Sequence, residues 1–236
     1  MDLTILPEEF DLLTQTYLAR TGGMSARTAL MIALSVGTLL SRPVAAQDVA
    51  TQTIVLLRHG EKPPLGLGQL NCQGLNRALA LPAVIEKQFG RPDAIFAPDP
   101  AQAVSENGQS YYVRPLATIE PTAIVFGLPV DASIGVFNLD ALRQKIELPT
   151  YWNALVVVAW EGNAIARLAR LLVADHGGDP RVVRDWKGND DFDSMYVVRI
   201  TRSAEQATVA FEQRHEGLDG QPTTCPVPNP PSGGGD

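Results

Sequence analysis

Apolar positions along the chain follow two periods. Residues 52–57 form a β-branched and aliphatic run that ends at a glycine-containing turn, the pattern of a buried strand followed by a loop. Residues 154–160 are the most hydrophobic run after the N-terminal region and predict a central strand, with a shorter strand at 93–97. Residues 195–200 and 208–211 alternate apolar with polar, as a closing hairpin or edge pair does. Between these runs the period lengthens. Residues 73–88 carry Leu75, Leu79, Val84 and Ile85 and predict a helix, kinked or divided near Pro82. Residues 118–126 predict a helix whose first turn lies near Pro121, and residues 138–146 a short polar one. In 163–174, Ile165, Leu168, Leu171 and Leu172 share a face while Arg167 and Arg170 lie towards the other, as in a helix laid on a sheet. Residues 98–108, rich in Pro, Asp, Ser, Asn and Gly, predict a surface loop.

Strands alternating with helices predict an α/β domain: a three-layer α/β/α sandwich around a mainly parallel sheet. Ligands bind such sheets beyond the carboxyl ends of the strands. The Arg58-His59-Gly60 and Trp160-Glu161-Gly162 loops follow two of those ends and are expected to face one pocket.

The first 46 residues read as an N-terminal extension and an export signal. From Met24 a cationic Arg27, an apolar stretch over 29–40 and Val44-Ala45-Ala46 give the three parts of a cleavable signal peptide. Residues 1–23 are acidic, which suits a signal poorly and points to Met24 as the start, a helical extension being the other reading. A domain over 47–225 and a disordered Pro/Gly-rich tail over 226–236 follow. The expected location is periplasmic or secreted, with no membrane span after cleavage. Cys72 and Cys225 then read as a disulfide, or else as two buried thiols.

Composition narrows the functions. With 45% apolar and 19% charged residues the chain can bury a core. Its net charge of -7 disfavours nucleic acid as a partner, since backbone binding draws on clustered Lys and Arg. Two cysteines and three histidines without short spacing offer no metal cluster, and no cofactor is expected. A small phosphorylated or anionic substrate would need a local group of cations.

Such a group surrounds His59. A neutral imidazole can attack phosphorus, and a neighbouring guanidinium offers paired donors to phosphoryl oxygens. Arg58 and His59 follow the first strand directly, and Gly60 lets the backbone approach an anion.

Arg58-His59-Gly60-Glu61 at a strand end, Cys72-Gln73-Gly74-Leu75-Asn76-Arg77-Ala78 on the next helix and Tyr112-Val113-Arg114-Pro115-Leu116-Ala117-Thr118 beyond it resemble, in this order, the histidine phosphatase (phosphoglycerate mutase-like) superfamily. The resemblance runs from about residue 53 to 200. It implies a phosphoglycerate mutase-like fold, His59 as the phosphate-accepting nucleophile, and Arg58 and Arg114 as clamps on the phosphoryl group. Gly60, Glu61 and Trp160 are implied phosphate-site neighbours. One departure stands out: the superfamily's second pocket histidine is missing, and Glu161 or Gly162 occupies its place. Losing one such donor costs about 10²–10³ in rate. His176, at a helix end, and His215, in a polar stretch, are weak substitutes.

A general acid must protonate the leaving oxygen, and Glu161, Glu106 and Glu120 are the candidates. Lys62 adds positive potential or is simply exposed. Tyr111, Tyr112 and Trp160 line the pocket or belong to the core; Trp152, Trp186 and Phe192 read as packing residues. Two functions therefore compete: a secreted phosphomonoesterase acting through phospho-His59, and an inactive or weak relative that binds a phosphorylated or anionic ligand.

Overall fold

The structure, a computed structural model, describes residues 49–105, 109–188 and 190–226. The expected extension and signal, the tail beyond 226 and Glu106 lie outside these residues. A six-stranded sheet in the order β5-β2-β6-β1-β7-β8 forms the middle layer. Its strands are β1 (Ala50–Arg58), β2 (Ala94–Pro98), β5 (Val130–Ile134), β6 (Leu155–Trp160), β7 (Ser194–Arg202) and β8 (Ala207–His215). β5, β2, β6 and β1 pair in parallel, whereas β7 runs against both of its neighbours. β3 (Ala103–Ser105) and β4 (Gln109–Tyr111) form a separate two-stranded ribbon.

Side chains alternate across the sheet, so successive residues of β1 enter different cores. Ile54 and Leu56 join Val156, Val158 and Trp160 on one face, under α3 (Leu139–Ile146) and α4 (Gly162–Asp175). Val55 and Leu57 join Val157, Ala159, Met195 and Val197 on the other, under α1 (Cys72–Phe89) and α2 (Arg114–Phe126). This is the expected three-layer α/β/α arrangement. No helix among the described residues is long and apolar enough to cross a membrane.

Local details differ from the pattern in ways the packing explains. α1 is not divided: it runs through Pro82, which is buried. Its start is set by Asn71, whose side chain accepts the Gly74 N–H at 2.9 Å. α2 begins at Arg114 rather than at 118, because Pro115 occupies the first turn, where no intrahelical N–H is needed. Part of the expected 98–108 loop is the β3 strand. β5 gave no signal because a half-exposed edge strand reading Val-Asp-Ala-Ser-Ile shows no apolar run. Cys72, at the start of α1, and Cys225 form the expected disulfide.

Candidate active site

His59 continues β1 one residue past its end. Its N–H donates to the Trp160 carbonyl at 3.1 Å, extending the parallel ladder that already pairs Arg58 with Trp160. His59 is 2% exposed, and both ring nitrogens are engaged. Nδ1 lies 2.8 Å from the Gly60 carbonyl oxygen, and Arg114 donates its Nε–H to Nε2 at 3.0 Å. A carbonyl can only accept and a guanidinium can only donate, so the proton sits on Nδ1 and the lone pair on Nε2. Burial is the largest cause holding the His59 pKa down at about 3, with the Arg114 charge next and Arg58 and Lys62 adding to it. The imidazole is therefore neutral near pH 7, with its nucleophilic nitrogen aimed at a cation.

Gly60 and Gly74 let the loop after β1 and α1 touch backbone to backbone. A Cβ on Gly60 would come within 3.1 Å of the Gly74 Cα and carbonyl oxygen, and one on Gly74 would run into the Glu61 backbone. The Gly60 N–H donates to Thr118 Oγ1 at 2.9 Å, and that hydroxyl donates to the Arg114 carbonyl at 2.8 Å. Thr118 thus ties the loop that carries His59 to the helix that carries Arg114.

Each guanidinium lies over an aromatic ring. Arg114 stacks on Tyr112, 4.6 Å from guanidinium carbon to ring centroid, and Arg58 stacks on Phe192 at 4.4 Å. Both rings also flank His59, Tyr112 edge-on at 6.0 Å and Phe192 tilted at 6.1 Å. Arg58 further donates to the Asp191 carbonyl at 3.0 Å. Burial lowers its pKa, and the Glu161 charge is the largest opposing influence. Phe192, expected only to pack, is thus part of the site.

Glu61 turns towards α1. Its carboxylate takes three donor contacts from Arg77, at 2.8–3.1 Å. Arg77 is fully buried and also reaches Glu216 at 2.7 Å, Asp193 at 3.3 Å and Asp219 at 3.1 Å. Several carboxylates share one guanidinium, and the fully buried Glu216 is pushed up to about 8, by desolvation first and by the Asp193 and Glu61 charges besides. These carboxylates hold the Arg77 proton still more firmly than usual. The network binds the loop after β1, α1, the start of β7 and the segment after β8 together.

Around the loop after β6 the expected residues separate. Glu161 accepts the Ala164 N–H at 2.8 Å and caps α4. Trp160 is wholly buried, and its indole N–H donates to the Val136 carbonyl at 3.0 Å, so it belongs to the core. Gly162 lies under Trp186: a Cβ there would come within 2.9–3.1 Å of the indole ring. No histidine fits at 162 unless that indole moves. His176 caps the far end of α4, about 20 Å along at 1.5 Å per residue, and contacts Glu147 at 2.6 Å. His215 is largely exposed at the end of β8, 3.5 Å from Asp193. Glu120 is exposed on α2, and Lys62 is half-buried. Tyr111 points to solvent, Tyr112 to the site. Trp152, half-exposed, packs beneath Arg202.

The sequence motifs contain Arg77 and Thr118 without pointing to a role for either, and Glu216 lies outside them. Arg77 had a signal: it stands among the buried positions Gly74, Ala78, Leu81 and Ile85 of α1, where a cation needs partners. Glu216 had none, since it follows an edge strand in a polar stretch.

No protein-family model matches the chain, and no curated protein does. Among solved structures it is similar to a chain assigned as the phosphohistidine phosphatase SixA from Nakamurella multipartitia, at 16% identity and TM-score 0.48, covering 70% of this chain and 96% of that one. A mycobacterial glucosyl-3-phosphoglycerate phosphatase in complex with inorganic phosphate follows, at 16% identity and TM-score 0.44, covering 68% and 95%. The phosphoglycerate mutase of Plasmodium falciparum gives 14% and 0.44, covering 71% and 92%.

Proposed function

We propose that the chain is a secreted histidine phosphatase that hydrolyses phosphomonoesters through a phosphohistidine at His59. The observation that carries this reading is the neutral His59 imidazole, with its Nε2 lone pair facing the Arg114 guanidinium and Arg58 one residue before it. A phosphate monoester entering there draws Arg114 onto its oxygens and uncovers Nε2. The lone pair forms the P–N bond, the P–O bond to the leaving group breaks, and that oxygen takes a proton from a general acid. The ring gains positive charge as the bond forms, and the Nδ1–H donated to Gly60 supports it. Water then attacks the phosphohistidine, returns Nε2 and releases inorganic phosphate. Glu161 is the favoured acid and base: it follows β6, whose Trp160 pairs with Arg58, and its charge is felt by Arg58. Arg58 and Arg114 neutralise the phosphoryl group, while Glu61 acts through Arg77 to hold the loop.

The Cys72–Cys225 disulfide supports an oxidising compartment, in keeping with the export signal read at residues 24–46. A second reading, binding without turnover, is favoured by one observation: Trp186 packs on Gly162 where a second pocket histidine would need room. Incubating the purified domain with a generic aryl phosphate decides between them. Turnover that vanishes in His59→Ala supports the enzyme; phosphate binding without turnover supports the second reading.

A further inference from the structure

We infer that the site selects phosphomonoesters with an apolar leaving group, which lies across an exposed apolar rim beside the Arg114 clamp. This rests on the phosphoryl-binding reading above and adds the substrate class. Leu65, Leu67, Tyr111 and Val113 are 59, 48, 66 and 39% exposed. Single exposed apolar residues are ordinary on any surface. The two loops that carry them are joined by the backbone: the Gly68 carbonyl accepts the N–H of both Val113, at 2.9 Å, and Arg114, at 2.8 Å. A Cβ on Gly68 would run into the Tyr111 carbonyl, so the two loops pack directly. Tyr111 and Tyr112 alternate, one ring to solvent and its neighbour against His59.

Leu67 gives a second, independent observation. It has φ +54°, the one non-glycine residue with positive φ among those described, between Gly66 at +77° and Gly68 at +69°. That conformation strains a leucine and suits Gly or Asn. Here it holds an apolar side chain half in solvent one residue before Gly68, whose carbonyl accepts the Arg114 N–H, and backbone strain of this kind gathers at ligand contacts. Behind the same loop Leu70, Leu75, Val113 and Ala117 line a mostly apolar cavity of about 380 Å³. A dianionic phosphoryl group on the two arginines would thus leave its ester chain beside apolar surface.

The test uses two series carrying chains from methyl to octyl: n-alkyl phosphates for kcat/KM and n-alkylphosphonates for calorimetric affinity. A fully buried methylene is worth about four-fold, so a half-open rim predicts a rise of roughly two-fold per methylene over the first few. Leu67→Asn, which accepts the left-handed conformation, and Tyr111→Ser each flatten that slope. Turnover that depends on His59 but is flat or falling with chain length, or an unchanged slope in both variants, overturns the inference and leaves the phosphatase reading standing. Phosphonate affinity that rises with chain length without turnover of any ester overturns the phosphatase and keeps the apolar preference. No binding of any phosphonate and no turnover overturns both.

Discussion

Arg114 donates its Nε–H to His59 Nε2 at 3.0 Å, placing a cation directly on the imidazole lone pair. Burial first, and this cation next, hold the imidazole neutral; on the proposed mechanism Nε2 is freed when an anion competes for the guanidinium.

Replacing Arg114 by Ala is expected to lower kcat about 10²–10³-fold, the usual cost of removing one donor from a developing charge. The same change raises the His59 pKa from about 3, since the Arg114 charge is its second cause. Steady-state kinetics and imidazole NMR titration check the two effects separately.

Stability against pH has opposite slopes from two buried groups. His59 titrates near 3 folded and near 6.5 unfolded, so between those values the unfolded chain binds a proton that the folded one refuses. Stability therefore falls as pH drops through this window, by up to about 1.4 kcal/mol per unit, and His59→Asn removes that fall. Glu216 works the other way. With a folded pKa of about 8 against 4.5, it favours folding below 4.5 and loses that stability as pH rises to 8; Glu216→Gln flattens this limb. Urea midpoints from pH 4 to 9 measure both.

Arg77→Leu leaves Glu61 and Glu216 buried without their cation and is expected to cost about 3–5 kcal/mol. Because Glu61 anchors the His59 loop, kcat falls as well. Arg77→Lys keeps the charge but loses the paired geometry on Glu61, and recovers only part of both losses. Urea unfolding of the two variants tests the ordering.

Gly162→His places a ring against Trp186 and is expected to destabilise by about 1–3 kcal/mol through overpacking. Adding Trp186→Ala opens the space, so the double variant should be less destabilised than the sum of the two single changes. Denaturant midpoints of the four-member cycle give the coupling.

Much of this was legible because burial and chemistry coincide at the ends of apolar strands. β1 and β6 announce themselves by their runs, and His59 and Glu161 follow them directly. The edge strand β5 did not, because half its residues face water. Arg58-His59-Gly60 pointed to a phosphoryl site, but Glu61 read as a ligand only because its partner Arg77 lies 16 residues away on another element. Phe192 read as packing because its role, a platform under Arg58, exists only once β1 and the segment before β7 are adjacent. Distant side chains that converge on a buried charge leave little periodic trace.

The most direct test of the central claim is a rapid-quench trap of the protein with a phosphate monoester, followed by mass analysis under alkaline conditions that preserve phosphohistidine. The expected result is one acid-labile phosphoryl group on His59, formed and lost at rates matching turnover and absent in His59→Ala. Turnover with no phosphorylated His59, or with the label on another residue, would contradict it.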